Sequence, residues 1–291
     1  MFGSKIKRKR DRVSQIRINT DLSQPPFLID QCDTIPKLFL KRCLELGKNK
    51  TAHREKKYGK WVSYSWKFYL DRVFEISIAL DKLGFEEGSS IAILSECRKE
   101  WLYIDLACQC LRGICTGVYP TDSAEQLEYQ LIDSKSSFLF LDNAEQLNKF
   151  LSVNISLPKL KKVIVLEKKN LRGFKQKNVL FLEDLYEIGK KFRKHGTAKI
   201  IKKIEKGVPC DVAILVYTSG TTGSPKGVML TQSNLMYAQS AGTHVLPFLP
   251  DDELFCFLPL CHIYERTTSV FSPVVNKTIV NFLESPATLF E

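Results

Sequence analysis

The string Tyr217-Thr218-Ser219-Gly220-Thr221-Thr222-Gly223-Ser224-Pro225-Lys226-Gly227 follows directly on an apolar run, Val212 to Val216. A short apolar run bounded by turn residues reads as a strand buried in a parallel sheet. The loop then stands at a strand end, the place where open α/β sheets hold their ligands. Gly220, Gly223 and Gly227 remove side chains that would keep backbone N–H groups away from an anion, and Thr218, Ser219, Thr221 and Thr222 offer hydroxyl donors. Lys226 adds a point charge, and Pro225 restricts the approach to it. Such a loop is suited to a polyphosphate. It is not a Walker loop, because Lys226 follows Pro225 and precedes Gly227-Val228 instead of Ser or Thr. The competing reading is a plain turn, although turns favour Gly and Ser without requiring an ordered lysine. Ser219 lacks the Gly-x-Ser-x-Gly elbow of a hydrolytic nucleophile.

Val228-Met229-Leu230 reads as the next strand, and Thr231 as the N-cap of a helix from about Gln232. Upstream, residues 1–24 read as a basic, disordered tail that ends at Pro25-Pro26. Asp33 or Thr34 can cap a helix bearing Leu38, Phe39, Cys43 and Leu46 and stopped by Gly47. Strands at Thr51 to Glu55 and Trp61 to Tyr64 can pair through Tyr58-Gly59-Lys60, with Ser65 capping a helix that ends at Gly84. Ile91 to Leu94, Cys115 to Tyr119, Phe138 to Leu141 and Val163 to Leu166 read as buried strands, with helices near 98–112, 123–133 and 143–152. The expected fold class is α/β, parallel sheets with covering helices. Glu167 to Asn178 reads as a surface excursion. Lys199 to Pro209 reads as a connection, dividing a first α/β subdomain (25–206) from the start of a second (207–291).

The loop string as a whole resembles the phosphate-loop signature of the adenylate-forming superfamily. A second string, Phe257-Leu258-Pro259-Leu260-Cys261-His262-Ile263-Tyr264-Glu265-Arg266-Thr267, resembles the segment that marks its long-chain fatty acyl-CoA synthetase branch. Thr34-Ile35-Pro36-Lys37-Leu38-Phe39, Trp61 to Trp66, Glu100-Trp101 and Gly117 to Thr121 stand in the order seen at the start of that branch, so the resemblance covers about residues 27–291. It implies the incomplete N-terminal domain of an adenylate-forming enzyme. The reaction implied joins a long-chain fatty acid to AMP with release of pyrophosphate, then passes the acyl group to coenzyme A, with ATP and Mg2+ as the other requirements. Thr218, Ser219, Gly220, Thr221, Thr222, Gly223 and Lys226 match the phosphate-contacting loop. His262 matches a position near the incoming carboxylate and the α-phosphate; a buried histidine satisfied by backbone at a helix start is the alternative. Glu265 and Arg266 read as a structural ion pair or helix-surface charges, and Tyr217 as a sheet residue beside the nucleotide. The motifs expected for adenine, ribose and Mg2+, and the small lysine-bearing domain, would follow residue 291. The chain alone is therefore not expected to be competent. A non-catalytic remnant, or half of a split enzyme with a separate C-terminal polypeptide or in a homo-oligomer, is the rival.

The chain has 43 Lys and Arg against 32 Asp and Glu. After residue 206 only Lys226, Arg266 and Lys277 are basic, so the excess lies upstream, in Lys5 to Arg17 and in the run from Lys190 to Lys206. A solvated surface is the plain reading of these runs, and an anionic membrane surface the next. Nucleic acid is disfavoured, since no stacking aromatics interleave them. The nine cysteines lack a disulfide-like rhythm, and no apolar stretch approaches the roughly 18 residues of a membrane span, which together suit a cytoplasmic protein, peripheral at the membrane if the lysines address it. Cys256, Cys261, His262 and His244 match no common zinc spacing, so no metal ligand is expected.

Overall fold

The computed structural model describes residues 28–153, 157–218 and 225–284. The basic tail, and Ser219, Gly220, Thr221, Thr222 and Gly223 of the loop, lie outside the described residues.

Helix α1 (Ile35–Leu46) starts where the Thr34 side chain accepts the Lys37 N–H and stops at Gly47, which has φ +55°. Strands β1 (Thr51–Lys57) and β2 (Lys60–Ser65) turn through Tyr58 and Gly59, both at positive φ. The Ser65 hydroxyl accepts the Phe68 N–H and so opens α2 (Trp66–Lys82). The expected alternation follows: β3 (Ser90–Leu94), α3 (Lys99–Cys110), β4 (Ile114–Val118), α4 (Ala124–Asp133), β5 (Ser136–Leu141), α5 (Ala144–Leu151) and β6 (Lys162–Val165).

The structure departs from the sequence reading next. β7 (Val179–Phe181) and α6 (Leu182–Lys191) stand where no element was expected, and α7 (Arg193–Lys206) runs through the connection expected from Lys199 onward. The reason is visible in α7, which buries only Gly196, Ile200 and Ile204, a stripe of three residues spaced four apart and hidden among lysines. Gly196 lets the helix approach α2 closely, since a Cβ there would lie 2.8 Å from Ile78. Lys199 and Lys203 pair with Asp81 of α2, and Arg193 with Asp71. Arg193, Lys199 and Lys203 of the basic run are thus spent within the fold.

β8 (Val212–Thr218) and β9 (Lys226–Thr231) form a hairpin, after which Thr231 makes a capping box with Asn234 and opens α8 (Gln232–Val245). Then come β10 (Glu253–Cys256), α9 (Ile263–Arg266), a π-helical turn (Thr267–Phe271), α10 (Ser272–Asn276) and β11 (Ile279–Phe282).

Seven strands run in the order β7-β6-β5-β3-β4-β8-β9, all parallel except β9. Alternate residues of β3 face opposite ways: Ile91 and Ile93 join the core packed by α2 and α3, Ala92 and Leu94 the core packed by α4 and α5. A second sheet, β10-β11-β1-β2, covers the far side of α3, and all twelve α3 residues are buried. The expected division at 206/207 falls between α7 and β8, yet β8 pairs with β4 and β11 with β1, so each sheet takes strands from both stretches.

Candidate functional site

From β3 the chain places β4 on one side and β5 on the other, with α3 and α4 on opposite faces of the sheet. Such a reversal leaves a crevice at the C-terminal strand ends. An open cleft of about 370 Å³ lies there, lined by Gly117, Tyr119, Tyr217, Thr218, Pro225 and His262 among others. Thr218 ends β8, Lys226 begins β9, and the two are register partners across the hairpin, both exposed. The two side chains therefore stand on the same face of the hairpin at the mouth of the loop. Tyr217 donates its hydroxyl to Asp133 at 2.6 Å, and burial together with that bond pushes its ionisation well above the ordinary phenol range.

His262 caps α9 on the opposite wall. Its N–H donates to the Pro259 carbonyl at 2.9 Å, and its Nδ1 accepts the Tyr264 N–H at 3.2 Å. The ring is exposed, so the buried histidine of the alternative reading is not what forms, although the backbone does satisfy one nitrogen. With Nδ1 accepting, the neutral imidazole carries its proton on Nε2 and is a hydrogen-bond donor there.

Two contacts fix the position of this segment. Cys261 crosses directly over Gly117, where a Cβ would come 2.6 Å from the Cys261 Cα. One turn beyond His262, Arg266 enters the core, pairs in bidentate fashion with Asp105 at 2.7 and 2.8 Å and donates to the Cys115 carbonyl at 3.2 Å. Both partners are fully buried. The expected Glu265–Arg266 pair is corrected accordingly, since Glu265 instead accepts the Ser269 hydroxyl.

The ion pair opens a longer polar chain. Asp105 also accepts from Gln109 at 2.9 Å, Gln109 accepts from Gln232 at 2.9 Å, and Gln232 accepts the Ile35 N–H at 3.0 Å. It ties α9, α3, α8 and α1 together. Sequence reasoning missed it, although Asp105 and Gln109, four apart on a helix apolar elsewhere beyond Glu100, were its signal. A second cleft of about 390 Å³, mostly apolar, was also missed; Gly242 of α8, Leu246 just past its end, Leu254 and Phe255 of β10, and Tyr264 and Thr268 contribute to it. Short helix α9 separates the two clefts.

Thr218 and His262 thus line one cleft at the sheet switch point, with Lys226 the register partner of Thr218. The chain belongs to the AMP-binding enzyme family, which matches it over residues 40–291. It is 31% identical over 242 residues to the long-chain-fatty-acid–CoA ligase ACSBG1 of Mus musculus, 82% of this chain and 33% of that protein. It is 30% identical over 256 residues to ACSBG2 of Homo sapiens, again named a long-chain-fatty-acid–CoA ligase, 87% of this chain and 37% of that protein. The chain thus spans about a third of the length of these curated relatives. Among solved structures, the N-terminal domain of FACL13 from Mycobacterium tuberculosis superposes with a TM-score of 0.70 at 17% identity, covering 87% of this chain and 58% of that one. That likeness establishes the adenylate-forming fold.

Proposed function

We propose that this chain carries the ATP-phosphate site and the acyl cleft of a long-chain fatty acid–CoA ligase. The observation that carries the proposal is the meeting of Thr218 and His262 in one cleft, with Lys226 beside Thr218 across the hairpin and an apolar cleft on the other side of α9. A fatty acid lying in the apolar cleft brings its carboxylate toward the α9 N-terminus. The carboxylate oxygen attacks the α-phosphorus, the bond to the bridging oxygen of the β-phosphate breaks, and pyrophosphate leaves. Lys226 offsets the charge that grows on the departing group, aided by the Thr218 hydroxyl and by Ser219, Gly220, Thr221, Thr222 and Gly223. His262 Nε2–H donates to the carboxylate and α-phosphate oxygens as they join. The coenzyme A thiol then displaces AMP from the acyl group. Magnesium enters as the ion ATP carries, and no described residue is assigned to it.

Gly242 offers a direct test, because an added Cβ there meets nothing within 4 Å and projects where the apolar cleft lies open. Gly242→Trp should abolish binding of a fluorescent sixteen-carbon fatty acid while leaving tripolyphosphate binding intact. Unchanged fatty acid binding would remove the acyl cleft from the proposal.

Lys190, Lys191, Lys194, Lys202 and Lys206 remain exposed along α6 and α7, and they favour docking on an anionic membrane surface. No described helix is long and apolar enough to cross a membrane. Vesicles with anionic lipid should capture the chain at low salt and release it as screening rises, at about 1 kcal/mol per basic residue near the surface. Equal binding to neutral vesicles would return these lysines to ordinary solvation.

A further inference from the structure

Helix α4 grips both sides of the hairpin mouth. It is a rigid element: Ser123 and Gln126 close a capping box at its start, and Leu127 and Leu131 are buried in the sheet core. From its opposite face the Tyr129 hydroxyl donates to the Pro225 carbonyl at 2.9 Å, while Asp133 accepts the Tyr217 hydroxyl at 2.6 Å. The two tyrosine rings meet edge to face with centroids 6.4 Å apart. Tyr129 and Asp133 are four residues apart, one above the other on the helix. Tyr217 immediately precedes Thr218, and Pro225 immediately precedes Lys226. Gly227 stands opposite Tyr217, and a Cβ there would come 3.3 Å from the Tyr217 ring, so the glycine leaves room for the ring to reach α4.

From this geometry we infer that Tyr129 and Asp133 are positioning residues, which fix the spacing of Thr218 and Lys226 and thereby the affinity of the mouth for polyphosphate. The inference rests on the proposed phosphate role of Thr218 and Lys226. A β-hairpin mouth is soft by itself, since its terminal pair has neighbours on one side only. Anchoring each strand to one helical turn, about 6 Å long over four residues, converts it into a preorganised site.

Tyr129→Phe removes one anchor by deleting a single oxygen, and Asp133→Asn weakens the other by removing its charge. In the 291-residue chain, each should speed hydrogen exchange at the Thr218 and Lys226 amides roughly fivefold, as expected for one lost hydrogen bond, with the melting temperature almost unchanged. Tripolyphosphate, followed by calorimetry, should bind several-fold more weakly to both variants. Unchanged exchange in both variants would overturn the inference. So would undiminished tripolyphosphate affinity in both while Lys226→Ala loses it. If wild type and Lys226→Ala bind tripolyphosphate equally, the phosphate reading itself fails, and the exchange rates alone decide whether α4 holds the hairpin.

Discussion

The two sides of α9 are built in opposite ways. Behind it, Arg266 and Asp105 are fully buried and belong to a chain of hydrogen bonds that crosses four helices. In front of it, His262, Thr218 and Lys226 are exposed, and the mouth is steadied by contacts to α4. The rear network holds charge that water cannot reach, so removing one member leaves the other uncompensated. The front holds the groups proposed to meet an incoming anion, and these stay exposed. Stability and chemistry are therefore separable by mutation on the two sides of one short helix.

The largest expected effect lies at the rear. Asp105→Ala strands the Arg266 guanidinium in the core and should cost about 3–5 kcal/mol of stability, read from the urea midpoint. A loss below about 1 kcal/mol would mean that water reaches the pair and that the two sides do not differ as described.

Acid should next act on the core. His53 is buried, its Nε2 is 2.6 Å from the Tyr103 hydroxyl, and burial together with the Lys99 charge lowers its pKa to about 3. The unfolded chain binds this proton below about 6.5 and the folded one does not, so the stability is complete above that pH. It should fall between pH 6.5 and 3 by up to about 1.4 kcal/mol per unit. Glu100 adds to the lower end: burial would raise its pKa, but Arg98 and Lys99 outweigh that and hold it at about 2. Its contribution is lost as pH drops below about 4.5. Urea titrations at pH 7, 5.5 and 4 should show the slope, and His53→Phe should flatten it above pH 4.5. An equal slope in that variant would clear His53 of the effect.

A smaller effect joins the two sides. Gly117→Ala forces a methyl group against the Cys261 backbone and should cost about 1–3 kcal/mol of stability while displacing His262, which is adjacent. The His262 ring resonances in NMR should move in this variant. If they stay put, the crossing does not position the site.

Much of this layout is legible in the residues. Ile91 to Leu94 and Phe138 to Leu141 are apolar throughout because parallel strands are covered on both faces, and Ser65 and Thr231 mark helix starts through their side-chain caps. α7 escapes notice because three buried residues are outvoted by its lysines. The front of the site is local in sequence, since Thr218 and Lys226 flank one short loop. Its rear is not: Asp105 and Arg266 lie 161 residues apart, and nothing in either neighbourhood names the other. The apolar cleft is hidden for the same reason, its lining being scattered over α8, β10 and the turns around α9.

The central claim is that Lys226 acts on phosphate and not on the fold. In an enzyme completed by joining this chain to the remainder of a long-chain-fatty-acid–CoA ligase relative, Lys226→Ala should slow palmitate-dependent ATP–pyrophosphate exchange by about two to three orders of magnitude, roughly 3–4 kcal/mol. Thioester formation from preformed palmitoyl-AMP should change far less, because pyrophosphate has already departed, and the urea midpoint should not move. A folded variant that loses both half-reactions equally, or neither, would contradict the account.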